Sequence, residues 1–280
     1  MEFKTGNWTG ITHSFDGGDD LSVIDCSAVD FAEPVLITAI AAIAQRAKTQ
    51  HRTVRFVKPR AEGTALYLSR MHVHEILDEL DVIHDFEPGN ERDQSGRLIE
   101  LHKFRSEHDG ETLAGMICDR VRDAGGVNPQ TLEELFGAIS ELATNTALHA
   151  DTPHGYAAAQ TYPNKKEIRF SIADAGIGFY ASLSKNPALK PDDDAHALDL
   201  ATVRQMSGTG EQYRGYGLPD VVSSVRRLGG NTRIASGRAA ATFSNKHEEG
   251  QVKTVTSAVG LRNPYTGVIV DVTIPWEPGR

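Results

Sequence analysis

Three separated segments within residues 141–230 limit most strongly what this chain can fold into. The first is a helix-like run, ELATNTALHA, and the second is an apolar strand that enters a glycine turn, IADAGIGF. The third is RGYGLPDVVSSVRRLGG, in which two glycines open an amphipathic helix. Each segment alone is a common pattern, but their order gives a polar helix, then a strand with an Asp-Gly turn, then a glycine turn before a second helix.

The first segment spaces Glu141, Asn145 and His149 four residues apart. Residues four apart share one face of an α-helix, so an acid, an amide and an imidazole would follow each other at successive turns. Such a face suits a solvated surface as well as a functional site, and the spacing alone leaves both interpretations open.

The second segment ends a predicted strand at Asp174 and continues with Gly176 and Gly178. Glycine permits a tight turn and a close approach of the backbone to a ligand. The carboxylate of Asp174 can accept a hydrogen bond from an exocyclic amine such as that of adenine. A plain strand-ending turn is the alternative interpretation.

The third segment places Gly215 and Gly217 directly before a predicted helix that begins at Leu218. The unpaired N–H groups and the positive dipole end of a helix N-terminus suit phosphate oxygens, although glycine also serves here as an ordinary turn residue. Other common nucleotide and catalytic motifs do not occur, namely GxxxxGK[ST], GxGxxG, GxSxG and HExxH.

In this order, AISELATNTALHA, IADAGIGF and RGYGL resemble the N box and the two glycine boxes of the GHKL superfamily. That superfamily comprises the ATP-binding domains of gyrases, heat-shock chaperones, histidine kinases and mismatch-repair proteins. The resemblance covers roughly residues 110–278. It implies an α/β sandwich with helices on one face of a mixed sheet, and it implies ATP and Mg²⁺ as ligands.

At the adenine end, the resemblance implies that Asp174 reads the exocyclic amine while Gly176 and Gly178 let the loop close over the base. Residues 179–214 would form an ATP lid, a long loop that would order on nucleotide binding, and the sequence has a helix-like patch at residues 194–206. The last strand of the family often carries Gly-Thr near this aspartate, whereas the matching residues here are Gly267 and Val268. A valine side chain cannot make that hydrogen bond, so we expect Thr266 or a water to replace it.

At the phosphate end, the resemblance implies that Asn145 binds Mg²⁺ through its side-chain oxygen and that His149 lies near the phosphates. The phosphates would be held by Gly215, Gly217 and the N–H groups beside Leu218. Glu141 would be the catalytic residue, because it matches the carboxylate that orients or deprotonates the attacking water.

The first hundred residues alternate strand-like and helix-like segments and predict a separate α/β unit, including a strand at residues 97–104. We place the domain boundary near residues 106–110, giving domains 1–108 and 109–280. The run DCSAVDFAEPVL, followed by a helix and TVRFV, resembles the STAS domain. The family's phosphoacceptor serine falls at Glu33 and Pro34, which implies a STAS-like module with a docking or packing role.

The composition excludes several classes of protein. The 280 residues carry a net charge of 29 − 38 = −9, which disfavours broad binding to nucleic acid. The sequence has no apolar run of the length that a membrane helix needs, and no secretory signal, so we expect a cytoplasmic protein. Two cysteines cannot form a disulfide framework.

Three functions are compatible with the resemblance. The first is a Mg·ATP-dependent ATPase that acts as a regulatory switch on a protein partner. The second is a serine/threonine protein kinase, since the run AISELATNTALHA is most similar to the anti-sigma-factor serine kinases of bacterial regulation. The third is a non-catalytic ATP-sensing module. A sensor histidine kinase is rejected, because no hairpin with a phosphoacceptor histidine precedes residue 130. The sequence leaves both a monomer and a homodimer open.

Overall fold

The computed structural model describes residues 12–15, 21–87, 98–124, 128–149, 152–203, 217–244 and 265–275. Its elements in the first half of the chain are β1 (Thr12–Phe15), β2 (Leu21–Asp25), α1 (Pro34–Thr49), β3 (Thr53–Val57), α2 (Glu62–Arg70), α3 (Val73–Glu79), β4 (Leu98–Phe104), α4 (Glu107–Ala124) and α5 (Pro129–His149). Those in the second half are β5 (Gly155–Tyr162), β6 (Glu167–Asp174), α6 (Gly178–Leu183), α7 (Asp194–Ala201), α8 (Gly217–Arg227), β7 (Asn231–Gly237), β8 (Ala239–Ser244) and β9 (Tyr265–Pro275).

The strands form two sheets, and helices pack on them, which confirms the predicted α/β class. The small sheet has the order β1-β2-β3, in which β2 and β3 run parallel. The large sheet has the order β4-β5-β6-β9-β7-β8. We expected a mixed sheet here, but every described pair in the large sheet is antiparallel. Short connections explain two of these pairs, because β5–β6 and β7–β8 are hairpins.

The strand that we expected to belong to the N-terminal unit, β4, lies instead at the edge of the large sheet. It pairs with β5, with Phe104 opposite Gly155. A Cβ at Gly155 would collide with the Phe104 ring, so the glycine lets that ring lie over β5. Apolar alternation predicted the strand correctly but could not specify its neighbour. The division of the chain into domains 1–108 and 109–280 stays a prediction.

Helices cover both faces of the large sheet. Along β5, Ala157 and Ala159 belong to the core formed with α4, α5 and α8, whereas Tyr156 and Ala158 belong to the core formed with α1. This alternation is the period of two that a strand imposes on its side chains. The resemblance implied helices on one face only, and α1 of the N-terminal region supplies the second layer.

Helix α1 lies between the two sheets and is buried over most of its length. It is tied to the large sheet by buried polar contacts as well as by apolar packing. The hydroxyls of Thr38 and Ser171 lie 2.9 Å apart. Glu33, which matches the STAS phosphoacceptor position together with Pro34, forms an ion pair with Arg169 of β6. The N-terminal region is therefore packed against the large sheet through α1.

The second core, beneath α4, α5 and α8, is closed by small and branched apolar residues. Helix α5 begins as the sequence predicts, with Pro129 in its first turn and the side chain of Asn128 accepting a hydrogen bond from the Gln130 N–H at 2.8 Å. Among the described helices, none is both long and apolar enough to cross a membrane.

Candidate functional site

Asp174 is the last residue of β6 and lies opposite Gly155, the first residue of β5. Its side chain is only 3% exposed. The carboxylate Oδ1 accepts hydrogen bonds from the N–H of Gly176 at 2.7 Å and from the N–H of Val268 at 3.3 Å. Within the described part of the chain these two donors hold one carboxylate oxygen only, so Oδ2 is the oxygen left to accept a bond from a ligand.

Burial dominates the protonation of this carboxylate. Desolvation raises the pKa of Asp174 to about 7, although the two backbone N–H groups stabilise the ionised form and act in the opposite direction. The group therefore changes charge near neutral pH. The ionised carboxylate has acceptor oxygens and no donor hydrogen, and this is the form that recognises an amine.

The backbone of β9 presses directly against Asp174. Gly267 has a φ of +105°, and a Cβ at this position would collide with the Asp174 carbonyl oxygen and lie 2.8 Å from Oδ1. We expected the side chain of Val268 to make no hydrogen bond to the aspartate. The main-chain N–H of Val268 donates one to the carboxylate instead.

Tyr265 is a site residue that the sequence analysis missed. Its hydroxyl donates a hydrogen bond to the carbonyl oxygen of Asp174 at 3.1 Å, and the side chain is 4% exposed. Its one signal in the sequence is its place three residues before Val268. A single aromatic residue at a strand start carries no pattern that distinguishes it from an ordinary core residue.

Gly176 and Gly178 shape the turn after Asp174 as predicted. Gly176 supplies the shorter of the two N–H bonds to the carboxylate. Gly178 has a φ of +74° and begins α6, and a Cβ there would lie 2.8 Å from the Ser236 hydroxyl. That hydroxyl accepts a hydrogen bond from the Phe179 N–H at 3.0 Å, which fixes α6 to β7.

The described part of the predicted lid, residues 179–214, contains helices, and α7 begins where the helix-like patch at residues 194–206 was predicted. Residues 179–203 include most of α6 and all of α7, and Ala197 and Leu198 of α7 are buried. Asp194 accepts a hydrogen bond from the Arg238 N–H at 2.8 Å, so α7 is fixed to the β7–β8 turn. This segment is polar overall, but it also contains apolar side chains, and these pack against the rest of the fold. The remainder, residues 204–214, lies outside the described residues.

Helix α5 carries the three polar positions toward its C-terminal end. Glu141 is partly exposed, and Asn145 and His149 follow at successive turns, with His149 the last residue of the helix. The side chains of Asn145 and His149 lie outside the description. Six residues after His149 the chain enters β5 at Gly155, beside Asp174. The end of α5 and the end of β6 therefore lie at the same end of the sheet.

Helix α8 packs on the same core as α5. Near its C-terminus, Arg227 forms an ion pair with Glu134 of α5. Asn145 lies eleven residues after Glu134, and Gly217 lies ten residues before Arg227. At about 1.5 Å of rise per residue, both are roughly 15–17 Å from the ion pair along the helix axes. Asn145 and the N-terminus of α8 are thus at similar distances from this ion pair.

The N-terminus of α8 has the form that the sequence predicts. Gly217 is the first helical residue, and the side chain of Leu218 is buried in the core, so only its main chain can face a ligand. Gly215 lies outside the described residues. The topology therefore brings the end of α5, the end of β6 and the start of α8 to one end of the large sheet.

Comparison of the sequence with protein-family models finds no match, and comparison with curated proteins finds none either. The function is therefore inferred from the residues at this end of the sheet.

Replacing Gly267 with alanine is expected to destabilise the fold by at least about 2 kcal/mol, because the new Cβ meets the Asp174 backbone at a positive φ. The matched control is Gly137→Ala in α5, where a Cβ meets nothing within 4 Å, and it should be neutral or stabilising. Chemical denaturation of both variants measures the difference. Equal stability of Gly267→Ala and the wild type would show that the two strands are not in close contact.

Proposed function

We propose that this chain is a GHKL-type protein that binds Mg·ATP at the end of the large sheet and hydrolyses it as a regulatory switch. The observation that carries the proposal is the buried Asp174 carboxylate. Among the described residues, two backbone N–H groups hold its Oδ1 and none holds its Oδ2, directly beside the turn that a purine would contact. No described cation pairs with this buried acid, which makes its ionised form costly, and its placement at a strand end favours a ligand role.

In this proposal the Oδ2 atom of ionised Asp174 accepts a hydrogen bond from the adenine amine. The carboxylate is preorganised, because Gly176 and Val268 fix its orientation before the base arrives. Gly267 leaves room for the close contact of β9 with β6. A purine without an exocyclic amine would not offer this donor, so Asp174 would supply base selectivity.

The phosphates would lie toward the N-terminus of α8. Backbone N–H groups of a first helical turn and the dipole favour an anion, and buried Leu218 anchors that turn to the core. Gly217, together with Gly215, would contribute main-chain contacts, and His149 would lie near the phosphates. Asn145 would hold Mg²⁺ through its side-chain oxygen, a hard donor of the kind that this ion prefers, with phosphate oxygens and waters completing its shell. Mg²⁺ would neutralise charge on the phosphates.

Glu141 would act on the attacking nucleophile, which makes hydrolysis the first expectation. The same carboxylate could activate a serine or threonine hydroxyl of a partner, so the proposal needs an experiment that separates the two reactions. The test is incubation of the full chain with γ-labelled ATP and Mg²⁺, alone and with cell extract.

Free labelled phosphate from the chain alone is the expected result. Label transferred to another protein, without free phosphate, would replace the ATPase with a protein kinase. Bound nucleotide that is neither hydrolysed nor transferred would leave a non-catalytic ATP-sensing module. No binding at all would contradict the proposal.

A further inference from the structure

The layer beneath Asp174, on the side of the sheet away from α5 and α8, is built from two buried tyrosines and helix α1. Tyr265 bonds the Asp174 carbonyl oxygen, and Tyr156 lies opposite Ala173 in the β5–β6 register. Ala173, Ala175 and Tyr265 belong to the same core cluster as α1. The backbone that carries the aspartate is therefore supported from the face that the N-terminal region covers.

We propose that Tyr265 is a positioning residue for Asp174, and that α1 of the N-terminal region holds this tyrosine layer in place. The N-terminal region would then be part of the nucleotide site without touching the nucleotide. This inference rests on the proposed function, since it assigns a cause to the orientation of the purine-reading carboxylate.

The hydrogen-bond geometry at Asp174 supports the role of Tyr265. The carboxylate Oδ1 is held by Gly176 and Val268, but those bonds orient the side chain only if the main chain of Asp174 is itself fixed. The Tyr265 hydroxyl fixes it through the carbonyl oxygen, at 3.1 Å. Burial raises the pKa of Tyr265 well above its ordinary value, so the phenol stays protonated and remains a donor.

The link to α1 is a second buried tyrosine. The Tyr156 hydroxyl donates to the side-chain oxygen of Gln45 in α1 at 3.1 Å, and neither residue is more than slightly exposed. Because Tyr156 and Ala173 are paired, this bond ties α1 to the residue that directly precedes Asp174. Loss of the Tyr156 hydroxyl would take this donor away from the buried Gln45 side chain.

The chain offers a matched contact far from the site. Tyr67 of α2 donates to the side-chain oxygen of Gln160, near the opposite end of β5. Gln160 is five residues from Gly155, or roughly 17 Å along an antiparallel strand. Tyr67 and Tyr156 thus make the same kind of tyrosine–glutamine bond between the N-terminal region and the same strand, but only Tyr156 lies beside the site.

The experiment compares Tyr265→Phe, Tyr156→Phe and the control Tyr67→Phe in the full chain with Mg²⁺. Calorimetry measures the affinity of each for ATP and for purine riboside triphosphate, which lacks the exocyclic amine. Thermal melting measures stability in parallel. We expect Tyr265→Phe to weaken ATP binding about tenfold and Tyr156→Phe about threefold, with purine riboside triphosphate affected little. Tyr67→Phe should leave both affinities unchanged.

The ratio of the two affinities separates positioning from general destabilisation. An equal loss for both nucleotides in Tyr265→Phe, or no loss for either, would overturn the inference while leaving ATP binding by the wild type intact. Failure of the wild type to bind ATP would overturn the proposed function and the inference together. If Tyr265→Phe does not fold, Tyr156→Phe is the variant that tests the inference. An unchanged ratio of the affinities for ATP and purine riboside triphosphate in that variant would contradict the role of α1.

Discussion

The substitution Asp174→Asn is expected to lower the affinity for ATP roughly 100-fold, measured at about pH 8, where the wild-type carboxylate is ionised. Asparagine keeps an oxygen for the N–H groups of Gly176 and Val268, so the turn should persist. Its amide nitrogen would then replace Oδ2. Because that nitrogen and the adenine amine are both hydrogen-bond donors, no hydrogen bond would form between them. Calorimetry with Mg·ATP measures the loss.

The same substitution should not destabilise the protein at neutral pH. Because burial raises the pKa of Asp174 from its ordinary value near 3.8 to about 7, the folded protein holds more protons than the unfolded chain across that range. The wild type therefore loses stability as the pH rises from about 4 to about 7. The whole difference between these two pKa values corresponds to roughly 4 kcal/mol in the free energy of unfolding.

Asparagine does not titrate, so Asp174→Asn lacks this loss. Between about pH 4 and pH 8, the free energy of unfolding of Asp174→Asn should therefore rise relative to that of the wild type by up to roughly 4 kcal/mol. Chemical denaturation at the two pH values measures this shift. A variant that loses ATP binding and gains stability at high pH is the signature of a charge kept for a ligand.

Asp271→Asn is the matched control for Asp174→Asn. Asp271 is also a buried aspartate of the large sheet, but its carboxylate forms an ion pair with Arg233 at 3.0 Å. Removing that charge leaves Arg233 without its partner, so this variant should be destabilised and should bind ATP normally. Equal ATP affinity for Asp174→Asn and the wild type would remove the assignment of Asp174 to the purine.

The second large effect is expected at Glu141. Replacement with alanine should reduce ATP turnover about 100- to 10,000-fold while ATP affinity stays near that of the wild type. The reason is that the carboxylate acts on the attacking water and not on the bound nucleotide. Single-turnover hydrolysis and calorimetry measure the two quantities separately.

Glu134→Ala is the control for Glu141→Ala. Glu134 lies two helical turns earlier on α5 and forms an exposed ion pair with Arg227, so its loss should change turnover little. Comparable turnover in Glu141→Ala and Glu134→Ala would contradict the catalytic role of Glu141. A loss of ATP affinity equal to the loss of turnover in Glu141→Ala would assign that residue to binding.

The elements that carry the site were predictable from local pattern. Asn128 and Pro129 mark the start of α5, and the apolar run before Asp174 followed by two glycines marks the end of β6. These signals depend on backbone preferences of single residues, which act wherever the segment lies in the fold. The glycine start of α8 is predictable for the same reason.

The partners of those elements were not predictable. The edge strand β4 reads as a strand from its alternation, but no residue in it specifies β5 as its neighbour. The N–H of Val268 bonds Asp174 through the main chain, so the side chain at that position could not reveal it. Gln45 meets Tyr156 because α1 packs on the second face of the large sheet, and no local pattern indicates that packing.

Amide hydrogen exchange of the full chain, with and without Mg·ATP, tests the central claim most directly. The account predicts that ATP protects three segments that are distant in sequence: the end of α5, the turn after β6 and the first turn of α8. Their common protection would mean that they converge on one nucleotide. Unchanged exchange in all three, or protection confined to the small β1-β2-β3 sheet, would contradict the account.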